Sequence, residues 1–175
     1  MLMATFVTIS PAEYLATDFV DREPEYVRGE LRERPLPDRY HARLQSILIG
    51  LLNASGGPRG YEALAEVRCQ LAEDVFRLPD VSLFPLEPFQ NLPSAPPLLV
   101  IEVVSKNDRY VGLLQKLDEY LVWGVSNIWV VDPWRRRLGV YRSSGLENVA
   151  ALALGELNLE MKLTDLAYGL PELPS

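Results

Sequence analysis

The sequence predicts an α/β fold carried by one domain over residues 1–175. It rests on a strand apolar on both faces at residues 98–104, an amphipathic helix right after it, and hairpin-spaced strands around both. At 175 residues and 48% apolar content the chain can bury one substantial core.

Ser10-Pro11-Ala12-Glu13 combines a capping serine, a proline at the first helical position and a glutamate three residues after the cap, so a short helix is expected to about Phe19. Residues 25–33 mix strand formers around Gly29 and predict a small hairpin or bent strand, ended by Pro35 and Pro37. From Asp38 a long helix is expected, with Leu44, Ile47, Leu48, Leu51 and Leu52 on one stripe and residues 53–60 stopping it. Strands follow at 61–71, 75–78 and 81–84, the first two forming a hairpin around Ala72-Glu73-Asp74.

Five prolines in residues 85–97 make a stiff loop, either a plain connector or an arm beside a site. The helix at 109–123 carries Leu113, Leu117, Tyr120 and Leu121 at helical spacing and closes on Gly124. Strands at 127–131 and 138–142 flank a turn through Asp132-Pro133, and residues 163–170 suit a short last helix.

Composition limits the function. No apolar run approaches the roughly 18 to 20 residues of a membrane helix, so a soluble protein is expected. The segment MLMATFVTIS lacks the positive region of a secretory signal, and a lone Cys69 can form no internal disulfide; both suit a reducing cytoplasm. A net charge of -7 argues against unspecific attraction to nucleic acid. It leaves room for local basic surface: 14 of the 17 cations are Arg, clustered at Arg28, Arg32 and Arg34, at Arg39 and Arg43, and at Arg135, Arg136 and Arg137. Solvated surface charge is the plain alternative for each cluster.

Glu102 is the charge inside the doubly apolar strand. An ionised carboxylate buried alone costs several kcal/mol, so it needs a partner or a metal. Asp80, at the start of a strand, and Lys116, on the edge of the following helix's apolar stripe, are the two candidates. Two carboxylates could hold a divalent cation through oxygen, with the ammonium beside a substrate phosphate and the attacking water. Plainer roles also stand: a strand-start residue for Asp80, a structural ion pair for Glu102 and a core-covering surface lysine for Lys116.

The ordered set Pro79-Asp80, Glu102-Val103-Val104-Ser105, Lys116 with Tyr120, and Asn127-Ile128-Trp129-Val130-Val131-Asp132-Pro133 resembles the Uma-type restriction endonuclease family of the PD-(D/E)XK nuclease superfamily. The resemblance extends upstream through His41 and Tyr26-Val27-Arg28-Gly29-Glu30 to Tyr14. It implies a restriction endonuclease-like fold, a mixed central sheet flanked by helices. It also implies Asp80 and Glu102 as ligands for Mg²⁺ (or Mn²⁺), Lys116 as the catalytic lysine, Glu30 as an auxiliary acid, DNA as substrate and a homodimer or higher homo-oligomer.

Val104 stands where the wider superfamily has its lysine, so the motif is complete only if Lys116 supplies the amine from the helix. Gly112 stands where the family often has an acid, with Asp108 nearby. His41 reads as structural or peripheral, Trp123 and Trp129 as core, and Trp134 as a candidate for stacking bases. The rival functions are a catalytically inactive binding module on the nuclease fold and an oligomeric interaction protein.

Overall fold

A computed structural model describes residues 9–106 and 109–166. Helix α1 (Pro11–Ala16) has the expected capping box, with Ser10 and Glu13 bonding reciprocally, but it ends at Ala16 instead of running to Phe19. Thr17 is already extended and its hydroxyl donates back to the carbonyl of Glu13. Strands β1 (Glu25–Val27) and β2 (Glu30–Arg32) form the predicted hairpin, turning through Arg28 and Gly29, both at positive φ.

Helix α2 (Arg39–Gly56) starts on an Asp38 cap and buries Leu44, Leu48 and Leu52. It runs past Asn53, where a stop was expected, because the Asn53 side chain turns outward to bond both the N–H and the carbonyl of Ala63. A 3-10 turn at Gly57–Arg59 then closes it.

The single strand expected at 61–71 is two strands in different sheets, β3 (Tyr61–Ala65) and β4 (Cys69–Ala72), divided at Glu66, which takes a positive φ of 52°. The hairpin around Glu73-Asp74 therefore joins β4 to β5 (Val75–Arg77), while β3 pairs with β6 (Val81–Pro85). Strand β7 (Leu99–Val103) is buried at all five positions. Helix α3 (Tyr110–Trp123) ends on Gly124 at φ 106° and carries the chain over to β8 (Asn127–Asp132), which lies parallel to β7. Strands β9 (Arg137–Arg142) and β10 (Gly145–Val149) continue antiparallel. A separate hairpin follows, β11 (Ala151–Leu154) and β12 (Leu159–Lys162), then α4 (Leu163–Leu166). The last helix was expected to reach residue 170, and residues 167–170 lie outside the described ones, as does Asp108.

The main sheet runs β10-β9-β8-β7-β6-β3 and the smaller one β2-β1-β5-β4. Along β7, alternate residues serve two cores. Leu99, Ile101 and Val103 pack with α2 and the β11–β12 hairpin, whereas Val100 and Val104 pack with Leu117 and Tyr120 of α3. Tyr14, Tyr26 and Phe76 form a third, aromatic cluster under α1, with Tyr14 and Tyr26 stacked at 5.2 Å. Among the described residues no helix is long and apolar enough to cross a membrane.

Leu48 is fully buried at the centre of the α2 seam. Leu48→Ala is expected to lower unfolding stability by about 3 kcal/mol in urea titration, the usual scale for a core leucine replaced by a cavity.

Candidate functional site

The antiparallel register of β6 and β7 pairs Val81 with Ile101, and one step further it sets Asp80 opposite Glu102. Two acids far apart in sequence thus become neighbours at one end of the sheet. Asp80 is fixed there by its own Oδ2, which accepts from the N–H of Val103 at 2.8 Å, while Gln45 of α2 donates to its carbonyl. Glu102 lies on the α3 side of β7. Its Oε1 accepts from the Tyr120 hydroxyl at 2.8 Å and its Oε2 from Lys116 Nζ at 2.9 Å.

Lys116 is 13% exposed and does reach back over the sheet. Its Nζ is also 2.9 Å from Glu25 Oε1, an acid of β1 that the sequence reading passed over. Glu25 in turn accepts from Leu78 N–H and from Arg77, and Arg77 also binds Glu119 of α3 at 2.7 Å. Glu30, expected in the site from the resemblance, sits on β2 with a side chain 54% exposed, 3.7 Å from Arg32, and does not line the cavity. One signal could have separated the two: Pro24-Glu25, like Pro79-Asp80, is a proline-acid pair opening a strand.

His41, read from sequence as structural or peripheral, is inside the site. It is 8% exposed, its Nε2 lies 3.2 Å from Asp80 Oδ1 without the direction of a hydrogen bond, and its Nδ1 has no hydrogen-bond partner among the described residues. Capping by Asp38 aims the first turn of α2 at Asp80, which periodicity alone could not reveal. Arg34 is also drawn in, 3.7 Å from Asp80 and 3.3 Å from Glu66.

Glu25, His41, Asp80, Glu102 and Lys116 all face one cavity of about 440 Å³, rimmed by Arg22, Arg32, Arg34 and Arg109. Its charges are unevenly settled. Burial works against the Glu25 carboxylate, but Lys116 and Arg77 overcome it and hold Glu25 down at about 2. Asp80 is also lowered, as contacts with His41, Lys116 and the Val103 N–H outweigh its burial. For Glu102 the balance tips the other way. Burial, joined by the nearby charges of Asp80 and Glu25, pushes it up to about 7 despite Lys116.

Burial and the two neighbouring acids thus oppose the charge that Lys116 and Tyr120 stabilise on Glu102, and added positive charge there would offset them. Asp80 and Glu102 supply hard oxygen donors of the kind a small divalent cation takes, although both Glu102 oxygens and Asp80 Oδ2 already accept hydrogen bonds. Among the described residues no group of three or more His, Cys, Asp or Glu side chains is placed to hold a metal ion. A cation of the Mg²⁺ type does not need one, since it binds through one or two carboxylates and keeps its remaining places for water and phosphate.

These shifts set the pH response of the metal-free protein. Glu25, with its folded value lowered to about 2, adds stability that is present above its unfolded value of 4.5 and lost as pH falls toward 2. Glu102, raised from 4.5 to about 7, costs stability as pH rises through that interval. His41 acts in the same sense: Asp80 raises it despite burial, so its contribution is present below 6.5 and lost as pH climbs through its higher folded value. In chelator, urea titrations are expected to show stability declining from about 4.5 to about 7 and beyond, with a shallower decline in Glu102→Gln. Arg77→Met, which removes a partner from Glu25 and Glu119, is expected to cost about 3 kcal/mol in the same assay.

No curated protein matches the chain. Its fold is shared with a crystal structure described as a putative nuclease belonging to DUF820 from Anabaena variabilis ATCC 29413. That match has a TM-score of 0.81 at 24% identity and covers 90% of this chain and 97% of that one. The expected fold class, a mixed α/β architecture of restriction endonuclease-like type, is the one observed. The model of the Uma2 family, described as "Putative restriction endonuclease", matches residues 11–169, and the chain belongs to that family.

Proposed function

We propose that residues 1–175 act as one endonuclease domain that hydrolyses DNA phosphodiester bonds with Mg²⁺ or Mn²⁺. The observation that carries this reading is the convergence of Asp80, Glu102 and Lys116 on one arginine-rimmed cavity, with Glu102 left undercompensated by its neighbours. Asp80 and Glu102 would hold the metal. When bound, the cation supplies Lewis-acid polarisation of the phosphate and lets water attack at neutral pH.

The protein's own groups do the rest. Glu102 and Glu25 raise the affinity of Lys116 for its proton well above the ordinary value, against the pull of burial. Lys116 therefore acts as a fixed positive charge that steadies the developing phosphorane and orients the attacking water, and it is no general base. Glu25, held ionised between Lys116 and Arg77, positions that ammonium. Arg34 and the rim arginines offer forked donors to phosphate oxygens.

The reading carries with it a homodimer or higher homo-oligomer, and the cytoplasm as its setting. Cys69, buried and with its thiol pushed up to about 12 by burial, is chemically quiet there.

The rival, a binding module without catalysis, is favoured by one observation: both oxygens of Glu102 already have donors, Tyr120 and Lys116. Calorimetry with Mg²⁺ or Mn²⁺ discriminates in one direction: absent cation binding sinks the enzyme reading and leaves the rival, whose acids serve a metal-dependent or salt-bridged core, standing. For the enzyme reading, supercoiled, linear and single-stranded DNA are incubated with Mg²⁺ or Mn²⁺. The wild type is expected to cut at least one of these, with Asp80→Asn and Glu102→Gln slower by about a hundredfold or more. Cleavage undiminished in both variants, or absent in the wild type across all three substrates, would refute it.

A further inference from the structure

Trp134 has no place in the cores. Trp129 is 1% exposed in the α2-side core, and Trp123 packs on the α3-side core with its Nε1 donating to the Ser94 carbonyl at 3.0 Å. Trp134 instead sits in the tight turn between β8 and β9, where a small polar residue would serve the backbone as well. Its ring lies 5.7 Å from that of Tyr40, tilted by 32°, and Lys106 Nζ stands 5.8 Å from its centroid. Both aromatic side chains are half-buried.

With Pro35, Leu36 and Pro133 they line a recess of about 260 Å³. Leu36 is 82% exposed, an apolar side chain presented to solvent at its edge. This recess adjoins the cavity holding the acids, since Pro35, His41, Val103 and Ser105 line both. His41 is the partition: one face borders the aromatic recess, and its Nε2 is 3.2 Å from Asp80.

We infer that the recess takes the base of an unpaired nucleotide adjoining the phosphate at Asp80 and Glu102, stacked on the Tyr40–Trp134 ledge, so that single-stranded or locally opened DNA is the substrate class. This rests on the nuclease reading above. Three features support the occupant. Indole and phenol rings stack on any base, whereas a base inside a duplex has both faces covered and cannot enter a side recess. A volume below the roughly 300 Å³ of the smallest drug-sized pockets suits one ring system, not a stacked pair. Cations stand at or near the recess in a chain of net charge -7: Lys106 leans over the ledge, although the capping Asp38 also lines the recess, and Arg43, one turn after Tyr40, and Arg136, two residues after Trp134, are exposed without an ion pair among the described residues. Such cations track a phosphate backbone leaving the site.

The test is binding in chelator, where no strand is cut, of a short dye-labelled oligodeoxythymidylate, a fully abasic strand of the same length, and a duplex. The wild type is expected to bind the intact strand about tenfold more tightly than the abasic one, and more tightly than the duplex. Trp134→Ala and Tyr40→Ala should erase the preference for bases while leaving abasic binding unchanged, which also reports that they fold, and Trp134→Phe should largely restore it. Equal wild-type affinity for intact and abasic strands, or a preference that survives Trp134→Ala, overturns the inference. A protein that cuts DNA yet ignores bases refutes the recess alone, and one that prefers bases but never cuts refutes the nuclease reading alone.

Discussion

One buried ammonium joins the parts of this molecule. Lys116 Nζ lies 2.9 Å from Glu25 of the small sheet and 2.9 Å from Glu102 of the main sheet, and it projects from the helix that links β7 to β8. Arg77 repeats the arrangement a step away, tying Glu25 to Glu119 of the same helix. The small sheet is thus fastened to α3 through ions in addition to apolar packing. Such contacts bring little net stability against their desolvation, but removing a single member strands the others and is expensive. Their value here is positional, since they hold the acids and the lysine in one geometry.

That geometry is imperfectly balanced. Glu25 and Asp80 are held as carboxylates, while Glu102, in the same cavity, is pushed toward protonation by burial and by those two neighbours. A fold selected for stability alone would place an apolar residue or a second cation there. On the proposed nuclease reading that tension is where a hard cation and a phosphate would complete the site, beside the fixed ammonium of Lys116. The same economy shows in the surface charge. The chain carries a net charge of -7, yet arginines rim the cavity and Lys106 stands over the aromatic recess next to it.

How much of this was legible beforehand differs by residue, for identifiable reasons. Strand β7 and helix α3 declare themselves because alternation and helical spacing are local, and Glu102 stands out because a charge in a doubly apolar strand has to be answered. Asp80 and Lys116 were nameable as candidates from their positions relative to those elements. The roles of Glu25 and His41 were harder to read. Glu25 is one of several charged residues in a short hairpin, set apart from Glu30 in the sequence only by the proline before it. His41 enters through the angle at which α2 crosses the sheet end. The division of residues 61–72 between two sheets was equally hidden, because Glu66 can adopt its positive φ in a sequence that otherwise reads as continuous strand.

The sequence by itself determined the α/β class, the buried central strand, the capped helices and the fact that Glu102 must have a partner, since these follow from the spacing of apolar residues and the cost of burying charge. Only the tertiary structure decided who the partners are: Lys116 and Tyr120 on Glu102, His41 and the Val103 N–H on Asp80, Glu25 in place of Glu30 beside the lysine. The reason is that strand register and helix docking are set by contacts between residues remote in the chain, and a shift of one residue in register would turn the acids away from each other without changing any local pattern.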